Sequence, residues 1–112
     1  MTDLAIVIVS WNVRDLLRDC LRSCLDDLQR SGLQGRIIVV DSASSDGTPA
    51  MVREEFGAVE LIASDDNIGF VKGNNLALRR LGFVGNDAAA ERPRYVWLLN
   101  PDTRVKPGAI RT

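Results

Sequence analysis

Residues 36–47 have the sequence RIIVVDSASSDG, in which an apolar run stops at an aspartate and a polar loop follows. The run is rich in β-branched residues and does not alternate with polar ones, so it predicts a strand that is covered on both faces. Residues 4–9, LAIVIV, have the same character. Two such runs, separated by a segment of helical periodicity, predict two strands of a parallel sheet.

The segment between these two runs predicts one long amphipathic helix. Apolar residues recur at helical spacing from Val13 to Leu28, and most of the residues between them are charged. Asn12 is the predicted N-cap, and Gly32 supplies the predicted end of the helix. Trp11, just before the helix, is expected to pack against the protein.

Strands and helices continue to alternate along the rest of the chain. In chain order we predict a short helix that begins with Thr48 as N-cap and ends at Phe56, a strand over 59–62, a helix over 70–81, a loop over 85–93 and a strand over 95–99. This order predicts an α/β protein with a Rossmann-like, mostly parallel sheet and helices on both faces.

The composition excludes several classes of protein and site. The 112 residues carry a net charge of -1, so no basic excess indicates a nucleic-acid partner, and the absence of histidine removes Ser-His-Asp catalysis and histidine metal sites. Cys20 and Cys24 lie on the apolar stripe of the first helix and are expected to be small buried hydrophobes. The acidic start is unlike a signal peptide, so we expect a cytoplasmic protein, with peripheral membrane attachment through a further portion left open.

Polar residues follow each predicted strand. Because ligands bind beyond the carboxyl ends of parallel strands, these four segments are expected to converge on one site. The candidate residues are Ser10 and Asn12 after the first strand, Asp41 and Asp46 after the second, Asn67 and Gly69 after the third, and Asn100 and Asp102 after the fourth.

The usual phosphate-binding loops are absent from the chain. The first strand is followed by SWNVRD instead of a glycine-rich fingerprint, and there is no P-loop motif. A divalent cation would then have to neutralise a phosphate, and Asp102 with Asn100 nearby suits such an ion. Asp41 can accept a hydrogen bond from the imide N–H of uracil or thymine. Two alternatives stay open: Asp102 only forms a turn, or Asp41 is a solvated carboxylate.

Four ordered motifs resemble those of family 2 glycosyltransferases, above all the rhamnosyltransferase-like branch. They are IVIVSWN at 6–12, IIVVDSASSDGT at 37–48, DNIGFVKGNN at 66–75 and YVWLLNPDTRVKPGA at 95–109, and together they extend over nearly the whole chain. The resemblance implies a GT-A fold. Residues 1–112 would form its nucleotide-sugar-binding half, and the C-terminal acceptor half would be absent from this truncated sequence.

The resemblance implies roles for the residues that follow the first two strands. Asp41 would bind the pyrimidine ring of the nucleotide. Ser10 and Asn12 would line the pocket for the base and ribose. Asp46 would support the loop or contact the nucleotide.

The resemblance also assigns the later candidate residues. Asn67 and Gly69 would shape the turn beside the nucleotide, and Asn75 would face the same pocket. Asp102 would hold Mg²⁺ or Mn²⁺ against the diphosphate as a member of the family's D-x-D motif. Asn100 stands where many relatives have an aspartate, so the site has one negative charge fewer, and metal binding without nucleotide is expected to be weak.

For the complete enzyme the resemblance implies transfer of a sugar from a UDP- or dTDP-linked donor to a glycan or lipid-linked acceptor, and the rhamnosyltransferase-like branch suggests dTDP-rhamnose as the donor. The transfer would invert the anomeric carbon and serve cell-surface polysaccharide synthesis. The acidic base of the family would lie in the missing half, so we expect nucleotide binding and little transfer from these residues alone. Self-association is also expected, because the missing half would leave apolar surface exposed.

Three rival functions remain open. A sugar nucleotidyltransferase has a similar plan but would carry a glycine-rich basic loop after the first strand, where this chain has SWNVRD. A receiver-like signalling domain would need paired acids after the first strand and a phosphoacceptor aspartate after the third. A nucleotide-sugar-binding module without turnover differs from the main hypothesis only in its lack of activity.

Overall fold

The computed structural model describes residues 2–82 and 93–111. In chain order the elements are β1 (Leu4–Ser10), α1 (Arg14–Ser31), β2 (Gly35–Ser42), α2 (Thr48–Glu55), β3 (Glu60–Ser64), α3 (Gly69–Arg80), β4 (Tyr95–Leu99) and a short 3₁₀ turn (Ala109–Arg111). The four strands form one parallel sheet in the order β3-β2-β1-β4. The predicted α/β fold class with a parallel sheet is therefore confirmed.

The central strands separate two apolar cores, one on each face of the sheet. Residues of β1 alternate between them: Ile6 and Ile8 pack with α1 and α2, whereas Val7 and Val9 pack with α3. All seven residues of β1 are buried, as expected for a strand covered on both faces. Cys20 and Cys24 are both buried in the first of these cores, as predicted.

Two predicted helix caps are wrong by one residue. The N-cap of α1 is Val13 and not Asn12, whose backbone has a left-handed φ of 51°. The N-cap of α2 is Gly47, with φ 84°, and not Thr48. Local sequence favoured the polar residues because Asn and Thr are common N-caps, but neither helix uses a side chain of its own N-cap. The predicted end of α1 is confirmed, since Gly32 adopts φ 70°.

Several other expectations differ from the structure. Trp11 is 55% exposed, although it was expected to pack against the protein, and Leu16, one of the apolar residues at helical spacing between Val13 and Leu28, is 51% exposed. Each lies near the amino end of α1, at the carboxyl edge of the sheet, beyond the region that the two cores cover. The predicted loop over 85–93 lies almost wholly outside the described residues. Among the described helices, none is both long enough and apolar enough to cross a bilayer.

Candidate functional site

The carboxyl ends of β1 and β2 are joined through Asp41. The strand register places Ser10 opposite Asp41, and the Ser10 hydroxyl donates to its Oδ1 at 3.0 Å. Ser44 donates twice, from Oγ to Oδ1 at 2.6 Å and from its backbone N–H to Oδ2 at 3.0 Å. Asp41 is 1% exposed. The alternative that Asp41 is a solvated carboxylate is therefore excluded. A nucleotide base could contact the Asp41 carboxylate only if the loop that contains Ser44 moved.

Asp46 connects the amino ends of two helices. Its Oδ2 accepts the N–H of Arg14 at 2.9 Å, and its Oδ1 accepts from the backbone N–H of Thr48 at 3.1 Å and from the Thr48 hydroxyl. The Arg14 guanidinium donates in turn to the Asp46 carbonyl at 3.0 Å. Both helices thus obtain an anionic acceptor at their amino ends, where the helix dipole favours negative charge.

Asn12 binds the loop after β2 instead of capping its own helix. Its N–H donates to the Ser44 hydroxyl at 2.8 Å, and its Oδ1 accepts the N–H of Ser45 at 2.8 Å. The left-handed backbone of Asn12 is a conformation that Asn tolerates better than most residues. The side chain is exposed at the mouth of a shallow pocket of about 350 Å³ that Arg14 and Asp46 also line.

Ser42 joins the end of β2 to the start of α3. Its hydroxyl donates to Asn67 Oδ1 at 2.8 Å and accepts the N–H groups of Ile68 and Gly69, at 2.7 and 3.2 Å. Asn67 Oδ1 also accepts the N–H of Gly69, at 3.3 Å. Gly69 has φ 77°, which a residue with a side chain rarely adopts. Asn67 and Gly69 therefore form the entry turn of α3 beside the loop after β2.

Two consecutive asparagines of α3 lie in different environments. Asn75 is exposed in a separate shallow pocket of about 330 Å³ with Ile68, Lys72 and Arg79, so the described contacts do not bring it together with Asp41. Asn74 is 6% exposed, and its Oδ1 has no hydrogen-bond partner among the described residues. An unpaired buried acceptor is costly, which marks Asn74 as a residue to test.

Asn100 and Asp102 lie in a turn directly after β4, and both side chains are exposed. The turn is closed by the N–H of Thr103, which donates to the Asn100 carbonyl at 3.1 Å. The same carbonyl accepts the Cys20 thiol at 3.8 Å. The geometry of Asp102 is thus that of a turn residue, and its exposed carboxylate is also free to meet a ligand from solvent.

The donor set at this turn suits a metal ion that is shared with a ligand. No group of three or more acidic or cysteine side chains among residues 2–82 and 93–111 could hold a metal alone. Asp102 and Asn100 offer one carboxylate and one amide oxygen, and a hard divalent ion needs about six oxygens. Diphosphate and water oxygens would supply the rest. The chemistry of these two residues fits Mg²⁺ or Mn²⁺, and a diphosphate bound with the ion would complete its ligands.

Sequence reasoning missed three polar residues of this edge: Ser42, Ser44 and Asn74. The first two belong to the predicted polar loop region, and only the strand register shows which carboxylate or turn each one supports. For Asn74, the available signal was its helical spacing from Ala77 and Leu81, three and seven residues later, both of which are buried in the core next to α3.

The chain matches the family model described as glycosyl transferase family 2 over residues 5–112. It is 29% identical over 75 residues to the N-acetylglucosaminyl-diphospho-decaprenol L-rhamnosyltransferase of Mycobacterium tuberculosis, covering 66% of this chain and 24% of that protein. It is 29% identical over 110 residues to the succinoglycan biosynthesis protein ExoO of Rhizobium meliloti, covering 97% of this chain and 28% of that protein. The chain thus spans about a quarter of the length of these relatives.

Solved structures share the fold at lower identity. The Staphylococcus aureus protein TarS 1-349 in complex with UDP-GlcNAc superposes with a TM-score of 0.74 at 17% identity, over 98% of this chain and 29% of that one. The mannosyltransferase PcManGT from Pyrobaculum calidifontis, in complex with GDP-Man and Mn²⁺, superposes with a TM-score of 0.68 at 24% identity, over 90% of this chain and 28% of that one.

Proposed function

Since the chain belongs to glycosyl transferase family 2, we propose that it forms the donor-binding portion of an enzyme that transfers a sugar from a nucleoside-diphosphate-sugar. The observation that carries the proposal is the convergence of the segments after β1, β2 and β3 through Asp41, Asp46 and Ser42, with the turn after β4 ending at the same edge. Beyond these ends a ligand meets side chains from several separate segments.

The base and ribose would lie beside the loop that Asn12, Asp41 and Ser44 hold together. In this proposal Ser10 and Asp46 keep that loop in shape, and Asn67 and Gly69 form the adjacent wall. The described hydrogen bonds support such a division of labour. The burial of Asp41 makes its contact with a pyrimidine conditional on movement of Ser44, whose hydroxyl and N–H occupy both carboxylate oxygens. Asn75 lines a separate pocket on α3, so it would contact the donor only if the ligand extended from the loop after β2 into that pocket.

The diphosphate would lie beside the Asn100–Asp102 turn, where Asp102 and Asn100 would help to hold Mg²⁺ or Mn²⁺. The ion would stabilise the negative charge that develops on the departing nucleoside diphosphate. This chain's own contribution is to present one carboxylate and one amide from the turn that follows β4, whose last residue, Leu99, is buried. The Mn²⁺ bound with GDP-Man in the similar mannosyltransferase supports a divalent ion.

The whole enzyme would use this donor in cell-surface polysaccharide synthesis. The name of the Mycobacterium tuberculosis relative supports a rhamnosyl donor and a lipid-linked acceptor, and the name of the Rhizobium meliloti relative supports polysaccharide synthesis. We propose inversion at the anomeric carbon, by attack of an acceptor hydroxyl that a carboxylate deprotonates. That base and most of the acceptor site would lie in a further portion of the protein. The site of action would be the cytoplasmic side of the membrane, with peripheral attachment.

Calorimetric titration of the chain with UDP, dTDP, GDP and ADP, each with and without Mn²⁺, tests the proposal. We expect UDP or dTDP to bind more tightly with Mn²⁺. Asp102→Ala should remove this gain, by about tenfold or 1.4 kcal/mol, because the ion loses its one carboxylate ligand. Asp26→Ala, which removes an exposed carboxylate from the middle of α1, is the matched control and should keep the gain.

Two outcomes would contradict the proposal. If no nucleotide binds to this chain or to a longer protein that contains it, the site is not a donor site. If the Mn²⁺-dependent gain survives in Asp102→Ala, the ion is held elsewhere.

A binding module without turnover would give the same titrations but no sugar transfer by the longer protein. A nucleotidyltransferase would instead form a nucleoside-diphosphate-sugar from a nucleoside triphosphate.

A further inference from the structure

The segment after the Asn100–Asp102 turn runs back along α1 and is tied to it by side chains. Cys20, Ser23 and Asp27 follow one another on α1 at spacings of three and four residues, about one helical turn each. Cys20 contacts the main chain of the turn at residue 100. Ser23 contacts the following segment at residue 105, and Asp27 contacts it at residues 108 and 110. One face of α1 therefore holds the backbone of the turn and of the eight residues that follow it.

Asp27 is the strongest of these ties. Its side chain is 2% exposed, between the buried residues Cys24 and Leu28. Its Oδ1 accepts the N–H of Gly108 at 2.7 Å, and its Oδ2 accepts the N–H of Ile110 at 2.9 Å. A carboxylate at a buried helix position is costly unless its oxygens are hydrogen-bonded, and here both are. These hydrogen bonds lower the pKa of Asp27, so the charged form that accepts them prevails.

Ser23 provides the middle tie. Its hydroxyl donates to the Cys20 carbonyl within the helix at 2.8 Å and accepts the N–H of Val105 at 2.9 Å. Val105 is 8% exposed and packs in the core between the sheet and α1. The hydroxyl therefore has a fixed orientation, in which its proton points to the Cys20 carbonyl and a lone pair accepts the N–H of Val105.

The turn itself has fewer constraints than the segment that follows it. Asn100 and Asp102 are exposed, and the described hydrogen bonds of the turn involve only its Asn100 carbonyl. Outside the turn, an exposed ion pair joins Arg104 to Asp19 at 3.1 Å. Such a pair contributes little to rigidity in water. The backbone of the turn is thus held by β4 on one side and by the hydrogen bonds of Ser23 and Asp27 with the following segment on the other.

We propose that Ser23 and Asp27 are positioning residues that hold the Asn100–Asp102 turn in the geometry needed for a metal–diphosphate ligand. This inference rests on the proposed function and extends it to two residues of α1 that do not touch the ligand. Because the metal site has a single carboxylate, its affinity depends on the placement of that carboxylate more than a site with several acidic ligands would. Loss of a hydrogen bond between Ser23 or Asp27 and the segment after the turn should weaken the metal-dependent binding of the nucleotide and leave its metal-free binding unchanged.

The test is a titration of Mn²⁺ into the chain at saturating UDP, together with the affinity for UDP without metal. We expect Ser23→Ala and Asp27→Asn to raise the half-saturating Mn²⁺ concentration about fivefold each, the equivalent of one lost hydrogen bond. Metal-free UDP affinity should stay within about twofold, a change of less than 0.5 kcal/mol. Ser23→Thr keeps the hydroxyl and should retain the wild-type response, as should Asp26→Asn, which removes an exposed charge from the neighbouring position.

Amide NMR spectra separate a positioning effect from general unfolding. The resonances of β1 and β2 should be unchanged in Ser23→Ala, while those of residues 102–108 shift. An unchanged Mn²⁺ requirement in both variants would overturn the proposal, as would an equal loss of metal-free and metal-dependent affinity. If neither this chain nor a longer protein that contains it shows Mn²⁺-dependent binding of UDP or dTDP, the proposed function fails and this inference fails with it. If the wild-type chain shows Mn²⁺-dependent binding and the variants do not change it, the positioning role is wrong but the proposed function stands.

Discussion

The carboxylate of Asp46 accepts the backbone N–H of Arg14 at 2.9 Å, although 32 residues separate the two in the chain. The first helix is thus capped by the loop that precedes the second, and the other oxygen of Asp46 caps that second helix through Thr48. A single side chain therefore binds the amino ends of both α1 and α2. Partial burial acts to raise the pKa of Asp46, but the hydrogen bonds from Thr48 and Arg14 outweigh it and lower the pKa.

Asp46→Ala should therefore destabilise the chain more than loss of an ordinary helix cap. Two helix termini lose their acceptor at once, and each cap is worth about 1 kcal/mol, so we expect a decrease of about 2 kcal/mol in the free energy of unfolding. Urea denaturation followed by circular dichroism measures this. Asp65→Ala, at an exposed turn position, is the control. A decrease in Asp46→Ala no larger than in the control would mean that water replaces the cap at no cost.

Acid should destabilise the fold below the ordinary pKa values of carboxyl groups. Hydrogen bonds from Ile110 and Gly108 lower the pKa of Asp27, and hydrogen bonds from Arg36 lower that of Glu60. The unfolded chain then binds protons at a higher pH than the folded chain, so stability rises with pH in this window. We expect the stabilisation to be complete above the unfolded values of 3.8 and 4.5 and to be lost as the pH falls through the folded values.

Glu60→Gln checks the assignment of that acid dependence. The Arg36 guanidinium donates to both Glu60 oxygens, at 2.7 and 2.8 Å, and so links β2 to β3. The variant should be less stable than wild type at neutral pH and should lose less stability on acidification, as measured by urea denaturation from about pH 6 to 3. If the free energy of unfolding of the two proteins changes with pH in the same way, Glu60 does not contribute to the acid dependence of stability.

Gly73→Ala should push α3 away from the sheet. A Cβ at this position would lie 2.8 Å from both Cγ atoms of Val9, a contact that requires movement. We expect a loss of about 1–3 kcal/mol in stability, as for other overpacked cores. The double variant with Val9→Ala should be less destabilised than the sum of the single variants. At Gly57 a Cβ would meet nothing within 4 Å, so Gly57→Ala is the matched control. Additive single effects would show that the helix and strand do not clash.

The two cysteines should be inert in the folded chain. Both are 0% exposed. The hydrogen bond with Cys20, together with burial, raises the pKa of the Cys24 thiol, whereas the hydrogen bond from Cys24 lowers the pKa of Cys20, so Cys20 is protected by its burial alone. Thiolate is the reactive species, so an alkylating reagent should not label either residue at a pH of about 8 under native conditions. Labelling in denaturant should reach both. Rapid native labelling followed by mass spectrometry at Cys20 would show that this face of α1 opens to solvent.

The chain should self-associate through β4. This strand lies at one end of the described sheet, and Tyr95 and Leu98 on it are 67% and 46% exposed. An apolar edge strand favours pairing with another chain. We expect a concentration-dependent dimer in sedimentation velocity, and Leu98→Lys should shift it toward monomer. Val71→Lys, on the exposed face of α3, is the control. A monodisperse monomer at high concentration would contradict this prediction.

The sequence by itself determined the alternation of strands and helices, the burial of β1 and β2 on both faces, and the position of the polar segments at the strand ends. Each of these depends on a local pattern: continuous β-branched runs such as residues 4–9, helical periodicity such as residues 13–28, or polar residues that interrupt a run. The resemblance to a glycosyltransferase family also rested on short motifs of this kind, and the family match agrees with it.

Only the tertiary structure decided which of those polar residues contact one another. Register pairs Ser10 with Asp41 and so buries a carboxylate that the sequence alone left either solvated or ligand-facing. The cap of α1 comes from Asp46, and the ties to the turn after β4 come from α1, across about eighty residues. Hydrogen-bond partners so distant in the chain depend on strand order and helix placement. These are set by packing of the whole core and not by the residues adjacent to each partner.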